Sequence, residues 1–115
     1  MNNLDSEPLR FGLSERILSS LCDVFAQFPQ IESVLVYGSR ANSSYRSSSD
    51  IDLAVIAPTM TEREFSRLWS ALDDLTILFK LDIVLFDSHS NAALKRNIIA
   101  DSVVLYRSMA VNAAP

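Results

Sequence analysis

Two apolar runs joined by a polar stretch of fixed chemical order constrain this chain more than any other feature. The first run ends at Gly38 and Ser39, and after ten further residues Asp50 and Asp52 open the second run, 53–57. Apolar runs of this length, bounded by turn residues, predict buried β-strands. The polar groups are therefore expected at the end of one strand and at the start of the next.

The residues at these strand ends predict a site for a nucleotide and a metal ion. Side chains alternate along a strand, so Asp50 and Asp52 point to the same side, roughly 7 Å apart along the backbone. Two unpaired carboxylates repel each other, and burying them costs several kcal/mol. A hard cation such as Mg²⁺ offsets that cost because it takes oxygen ligands and commonly adds substrate phosphates. Gly38 followed by the hydroxyl of Ser39 lets backbone N–H groups approach an anion.

The rest of the chain alternates helical and extended patterns. Helical spacing of apolar residues predicts a helix from an N-cap at Ser14 to a stop at Pro29, a second after a Thr61–Glu64 capping box, and a third over 91–100. The predicted strands are 31–37, 50–57, 81–86 and 103–106. This alternation predicts an α/β domain over 13–107, with one central sheet and flanking helices, a flexible arm over 1–12 and a frayed tail over 108–115. Periodicity leaves the strand order open.

Further charged residues are candidates for the same site. Asp82 near the start of the run 81–86 is either a third metal-binding carboxylate on a neighbouring strand, about 5 Å away, or an ordinary aspartate at the solvent rim. Asp87 competes for that role and is expected to point into the following turn. Arg40 and Arg46 each carry a guanidinium able to reach a triphosphate. An exposed solubilising role is equally open for Arg40 and favoured for Arg46.

Bulk properties exclude several classes of protein. A chain of 115 residues predicts one domain, and a net charge of −4 argues against long nucleic-acid tracts as the main partner. The single cysteine, Cys22, cannot form an internal disulfide; we interpret it as a small core residue in a cytoplasmic protein. We find no pattern of a signal peptide or membrane span. His89 is expected to lie in a loop or to cap a helix.

Gly-Ser, ten residues and then Asp-x-Asp, all on predicted strand ends, resembles the signature of the DNA polymerase beta-like nucleotidyltransferases. From about Ile17 to Tyr106 the chain is similar in particular to the minimal nucleotidyltransferase (MNT) domains, which pair with HEPN-domain proteins in prokaryotic toxin–antitoxin modules. The resemblance implies the polymerase beta-like nucleotidyltransferase fold with a mixed sheet. It also implies that the third acidic residue comes from the strand that carries Asp82.

The resemblance further implies a division of labour among these residues. Asp50 and Asp52 would hold two Mg²⁺ ions, whereas Asp82 would bind only the catalytic ion and assist deprotonation of the acceptor. Ser39, together with the backbone of Gly38, would hold the outgoing phosphates.

The implied reaction is transfer of AMP from ATP to a tyrosine of the HEPN ribonuclease toxin, which makes the chain an antitoxin. Arg40 is included among the nucleotide-binding residues, with Gly38 and Ser39. The expected assembly is a hetero-oligomer with the toxin, or a homodimer when the protein is alone.

The sequence departs from the family in two places and leaves two other functions open. Asn42 and Ser43 stand where many members have a basic residue and a glycine, and Asp101-Ser102 stands where the family often has Glu-Gly. One alternative is a non-catalytic antitoxin that inhibits the toxin by covering it. The other is a transferase that acts on a small molecule such as an aminoglycoside.

Overall fold

The computed structural model of the chain describes residues 11, 13–38, 41, 50–75, 80–86 and 92–108, with the side chain of residue 99 excepted. It contains seven regular elements in these parts of the chain. The helices are α1 (Glu15–Ala26), α2 (Glu62–Asp73) and α3 (Ala92–Ala100). The strands are β1 (Ser33–Tyr37), β2 (Ile51–Ile56), β3 (Leu81–Leu85) and β4 (Ser102–Arg107).

The four strands form one mixed sheet in the order β3-β2-β1-β4. The central strand β1 is antiparallel to both of its neighbours, whereas β2 and β3 are parallel. The predicted mixed sheet is therefore confirmed, and the structure supplies the strand order that periodicity left open. In this arrangement the end of β1 meets the starts of the other three strands, so residues distant in sequence meet at one end of the sheet.

Both predicted helix caps are confirmed. The Ser14 hydroxyl accepts a hydrogen bond of 3.3 Å from the backbone N–H of Ile17 at the start of α1. At the start of α2, the Glu64 N–H donates to the Thr61 hydroxyl (3.1 Å) and the Thr61 N–H donates to the Glu64 carboxylate (2.8 Å). These bonds satisfy N–H groups that have no partner inside the helix.

Helices cover both faces of the sheet, with unequal cores. On one face, α1 and α2 pack on the sheet over a large apolar cluster whose fully buried members include Phe25, Val34, Leu53 and Leu68. On the opposite face α3 covers a smaller cluster: the buried residues Tyr37, Ala54 and Ile98, with Leu35, Val84, Phe86 and Leu94 packed against them. Burial on both faces explains the continuous apolar runs in the sequence.

The structure also shows the surroundings of the apolar side of α2 and of Cys22. The apolar residues of α2 pack on the core. The thiol of Cys22 lies in contact with the same core and donates a weak hydrogen bond of 3.8 Å to the carbonyl oxygen of Leu105. No helix in the described ranges has the length and hydropathy that a membrane span requires.

Candidate active site

A row of four polar side chains crosses the sheet at the end where β1 stops. Tyr37 is the register partner of Asp52 on one side and of Ser102 on the other. Asp52 is in turn the partner of Asp82 on the parallel strand β3. Register partners point to the same face of a sheet, about 4.8 Å apart from strand to strand. The order across the sheet is therefore Ser102, Tyr37, Asp52, Asp82, on the face that α3 covers.

The chain leaves β1 in a tight turn beside this row. Gly38 has a φ of +76°, and its carbonyl oxygen accepts a hydrogen bond of 3.1 Å from the N–H of Ala41. This hydrogen bond joins the first and last residues of a tight turn, so a turn follows β1 as predicted. Ser39 and Arg40, predicted to bind the nucleotide, lie outside the described residues.

The turn and the acidic pair approach each other closely. A Cβ atom placed on Gly38 would lie 3.0 Å from Oδ2 of Asp52, closer than Cβ contacts normally come. Glycine is therefore required twice at this position, for its left-handed conformation and for the space that the carboxylate occupies. The approach brings the predicted phosphate-binding backbone next to a predicted metal ligand.

Asp50 precedes β2 and is exposed. Next to it, the N–H of Ile51 donates a hydrogen bond of 2.9 Å to the carbonyl oxygen of Lys80, which ties the start of β2 to the start of β3. Asp82 is also exposed, so it lies at the rim and is at the same time the neighbour of Asp52. This position fits both interpretations of Asp82, the metal-binding carboxylate and the aspartate at the solvent rim.

The carboxylates of this site are suitable ligands for Mg²⁺. In the described part of the chain, no three Asp, Glu, His or Cys side chains are grouped closely enough to hold one metal ion. Mg²⁺, however, is commonly bound through one or two carboxylates, with water and substrate phosphates completing its shell. Asp52 and Asp82, neighbours beside the turn at Gly38, fit that mode of binding.

Tyr37 is a component of the site to which the sequence analysis assigned no role. Its side chain is 9% exposed, and burial, the Asp52 carboxylate and the Asp82 carboxylate, in that order, raise its pKa to about 12. The raised pKa keeps the hydroxyl protonated into the alkaline range. The available signal was its position directly before Gly38 at the end of a strand. Ser102, the fourth member of the row, is one of the positions at which the sequence departs from the family.

A cavity of about 410 Å³ adjoins the outer end of the polar row. It lies between the C-terminal part of α2 and the start of β3, which is an edge strand of the sheet. Its apolar lining comes from Trp69, Leu72, Leu75 and Leu81, and Asp82 lines it as well. Its apolar walls belong to the core under α1 and α2, so the cavity lies on the face of the sheet opposite the polar row and shares only the edge residue Asp82 with it.

Three other candidates from the sequence, Arg46, Asp87 and His89, lie outside the described residues. The structure therefore brings together Gly38, Asp52 and Asp82, with Asp50 just before β2.

Comparison with known proteins identifies the family. The family model of the polymerase beta nucleotidyltransferases matches residues 19–110, most of the chain. The protein belongs to the polymerase beta nucleotidyltransferase family. A comparison with curated proteins finds no match.

Solved structures share the fold. A toxin–antitoxin complex with AMP-PNP matches with a TM-score of 0.59 and 21% identity, over 81% of this chain and 75% of that chain. A double mutant of the toxin–antitoxin pair MntA–HpeT matches with a TM-score of 0.54 and 22% identity, over 83% and 73%. A proposed nucleotidyltransferase from Sulfolobus solfataricus matches with a TM-score of 0.53 and 23% identity, over 79% and 77%. At these identities the similarity shows a common fold, which confirms the expected fold class.

Proposed function

We propose that this protein is an Mg²⁺-dependent nucleotidyltransferase of the MNT type. It transfers AMP from ATP to a tyrosine hydroxyl of a partner HEPN ribonuclease toxin and so neutralises the toxin. The observation that carries the proposal is the in-register pair Asp52–Asp82 beside the turn at Gly38, in a chain that belongs to a nucleotidyltransferase family. Carboxylates and a glycine turn suit transfer of a charged phosphoryl group, because that chemistry depends on positioning and on stabilisation of charge.

Each residue of the site has a role in this proposal. Asp50, Asp52 and Asp82 would hold the metal, which when bound neutralises negative charge between the attacking and leaving oxygens. The backbone of Gly38, with Ser39 and Arg40, binds the phosphates that leave. These groups orient ATP so that its α-phosphorus lies above the acidic pair.

Tyr37 keeps its proton within the electrostatic influence of both carboxylates, because burial and those two charges oppose its ionisation. Tyr37 therefore stays an uncharged neighbour of the acidic pair and does not act as a base.

The proposed partner follows from the similar structures together with the family resemblance. Two of the structures that share the fold are toxin–antitoxin complexes, and one of them holds AMP-PNP. Because this chain shares its fold with proteins of those complexes, we take a HEPN toxin as the acceptor and ATP as the donor. The working assembly is then a hetero-oligomer of this chain with the toxin.

Intact-mass spectrometry of the toxin tests the proposal. The purified chain is incubated with its HEPN partner, ATP and Mg²⁺, and the toxin is expected to gain one or more AMP masses. Asp52→Asn and Asp82→Asn should each lower the rate at least about 100-fold, as losses of transition-state charge stabilisation do. Asp23→Asn, which changes an exposed aspartate on α1, is the matched control and should keep full activity. A folded pair that forms no adduct contradicts the proposal.

A second candidate function is inhibition by covering the toxin without catalysis. It is favoured by one observation, that the described residues contain no closed group of three metal ligands. A covering antitoxin would suppress the ribonuclease without ATP and would tolerate Asp50→Ala and Asp52→Ala. A transferring antitoxin would need ATP and lose its effect with either change.

A further inference from the structure

Two exposed valines lie side by side on one strand of the sheet. Val103 is 43% exposed and Val104 is 36% exposed, and they are the large hydrophobic side chains that stand out to solvent in the described part of the chain. Both belong to β4, which is an edge strand. The outer side of an edge strand presents backbone N–H and C=O groups that can pair with another strand. β4 therefore combines an apolar surface with a backbone that can extend the sheet.

The two edges of the sheet differ in how well they suit such pairing. The other edge strand, β3, has the exposed Asp82 as its second residue, and a charge within an edge strand discourages pairing. On β4 the first three residues, Ser102–Val104, are uncharged. They precede a β-bulge at Leu105, where the register with β1 shifts. The regular part of β4 is thus the part that carries the exposed valines.

The faces to which these side chains point restrict how a second β4 can pair. Val103 is the register partner of Val36, which belongs to the core under α1 and α2. Val104 is the partner of Leu35, which packs under α3. Residues directly opposite in an antiparallel pair point to the same face. A second β4 satisfies this rule when Val104 lies opposite Val104 of the second copy, which also places Val103 opposite Leu105.

The charges near the two ends of β4 complement each other in this pairing. Asp101 and Arg107 are both exposed. Because the bulge takes up one extra residue, Arg107 lies opposite Ser102 of the second copy, next to Asp101. Arg107 and Ser102 also share a face, since Arg107 is the partner of Ser33 and Ser102 is the partner of Tyr37, both on the α3 side. An in-register parallel pair would instead bring like charges together.

We propose that β4 is a docking surface for a second copy of this chain, with the two β4 strands antiparallel about Val104. The two four-stranded sheets then form one continuous sheet with β3 at each outer edge. A twofold axis perpendicular to the sheet keeps both α3 helices, and with them both polar rows, on the same face. The proposal does not depend on nucleotide transfer.

Sedimentation equilibrium of the purified protein tests the interface, and a dimer whose fraction rises with concentration is expected. Val104→Lys should raise the dimer Kd about tenfold or more, because like charges directly opposite destabilise a strand pair. Val104→Thr is the matched control and should keep the dimer, since threonine is β-branched and uncharged. A protein that is monomeric at every concentration, or equal effects of the two variants, would overturn the proposal.

Cross-linking tests the register and detects even a weak dimer. In a Cys22→Ser background, Val104→Cys places two thiols at the twofold axis. Opposite Cα atoms of an antiparallel pair lie about 4.5–5.5 Å apart, within the span of a disulfide, so oxidation should give a covalent dimer. Val103→Cys, at the neighbouring position, places its thiols on a diagonal of about 7–8 Å and should give little. Preferential cross-linking through Val103→Cys would contradict the proposed register. Should Val104→Lys fail to fold, this pair still decides.

An exchange of charges tests the antiparallel direction. Arg107→Asp should weaken the dimer, and Asp101→Arg in the same chain should restore it. A double variant that stays as weak as Arg107→Asp would overturn the pairing. A monomeric wild-type protein whose binding to the HEPN toxin is lost with Val104→Lys would assign this edge to the toxin and overturn the proposal as well.

Discussion

Gly38 combines two demands that are seldom met at one residue. Its backbone is left-handed, and the carboxylate of Asp52 occupies the space that a side chain would need. The first demand concerns the backbone alone, whereas the second links the turn to the acidic pair. A substitution at this position should therefore affect both stability and the position of Asp52.

Gly38→Ala should lower the free energy of unfolding by about 1–2 kcal/mol through the left-handed backbone, with a further loss from the contact with Asp52. Urea denaturation measures the sum. In an Asp52→Ala background the contact is gone, so the cost of Gly38→Ala should fall to the backbone part. The coupling between the two substitutions is expected at about 0.5–3 kcal/mol. Strictly additive effects would show that the turn and the carboxylate are independent.

Tyr37 makes stability depend on alkaline pH. Because folding raises its pKa from 10.0 to about 12, the folded state favours the protonated phenol. This contribution is complete below pH 10 and is lost as the pH rises through 12. Tyr37→Phe should flatten the fall in the free energy of unfolding across that window, measured by urea denaturation at several pH values. Asp52→Asn should flatten it partly; a slope unchanged in both variants would contradict the burial of this phenol beside the acids.

At the scale of elements, α2 is held at its start by a reciprocal pair of hydrogen bonds and at its buried side by the core. Its apolar side chains face the sheet while Thr61 and Glu64 cap its first turn. The same helix supplies Trp69 and Leu72 to the cavity. A change that removes only the cap should therefore show how much these hydrogen bonds contribute to stability.

Thr61→Ala should destabilise the protein by about 1 kcal/mol, since the hydroxyl that accepts the Glu64 N–H is lost. Thermal or urea denaturation provides the measurement. Thr59→Ala, at an exposed position two residues earlier, is the control and should change stability by less than about 0.5 kcal/mol. Equal losses in the two variants would mean that the cap does not stabilise the helix.

Glu64 adds a dependence on acidic pH. The Thr61 backbone N–H, followed by hydrogen bonds from the side chains of Thr61 and Gln30, holds the pKa of Glu64 below its ordinary value. The resulting stability is present above the ordinary pKa of a glutamate and is lost as the pH falls through the lowered one. Glu64→Gln should reduce that loss, measured by denaturation between neutral and acidic pH. An unaltered acid transition would argue against the capping bond.

For the whole molecule, the two faces of the sheet have different roles. The face under α1 and α2 carries most of the buried apolar side chains, and the face under α3 carries a small cluster and the polar row. The large core can therefore hold the sheet while the other face presents charged groups to a ligand. Binding of a nucleotide should add stability to the folded state alone.

AMP-PNP with Mg²⁺, at about 100 times its Kd, should stabilise the protein by about 2.7 kcal/mol and raise the Tm on the order of 10 °C. Scanning calorimetry measures the shift. Chelation of the metal should remove it, and Asp52→Asn and Asp82→Asn should prevent it. Asp23→Asn should retain it. A shift that survives chelation would show that nucleotide binding does not depend on the metal.

The amino-acid sequence by itself determined the local features: the caps at Ser14 and Thr61, and the helices and strands within a few residues. Each depends on residues a few positions apart, whose preferences act through the 3.6-residue period of a helix or the alternation of a strand. The resemblance to a known family supplied two further expectations: that the sheet is mixed, and that the third acidic residue lies on the strand that carries Asp82.

Only the tertiary structure decided which distant residues meet. The parallel register of β2 and β3 pairs Asp52 with Asp82, and the central position of β1 buries Tyr37 next to them. The same packing forms the cavity between α2 and β3. Register depends on how both faces of the sheet bury their side chains, and that burial involves segments far apart in the chain, so no local pattern encodes it.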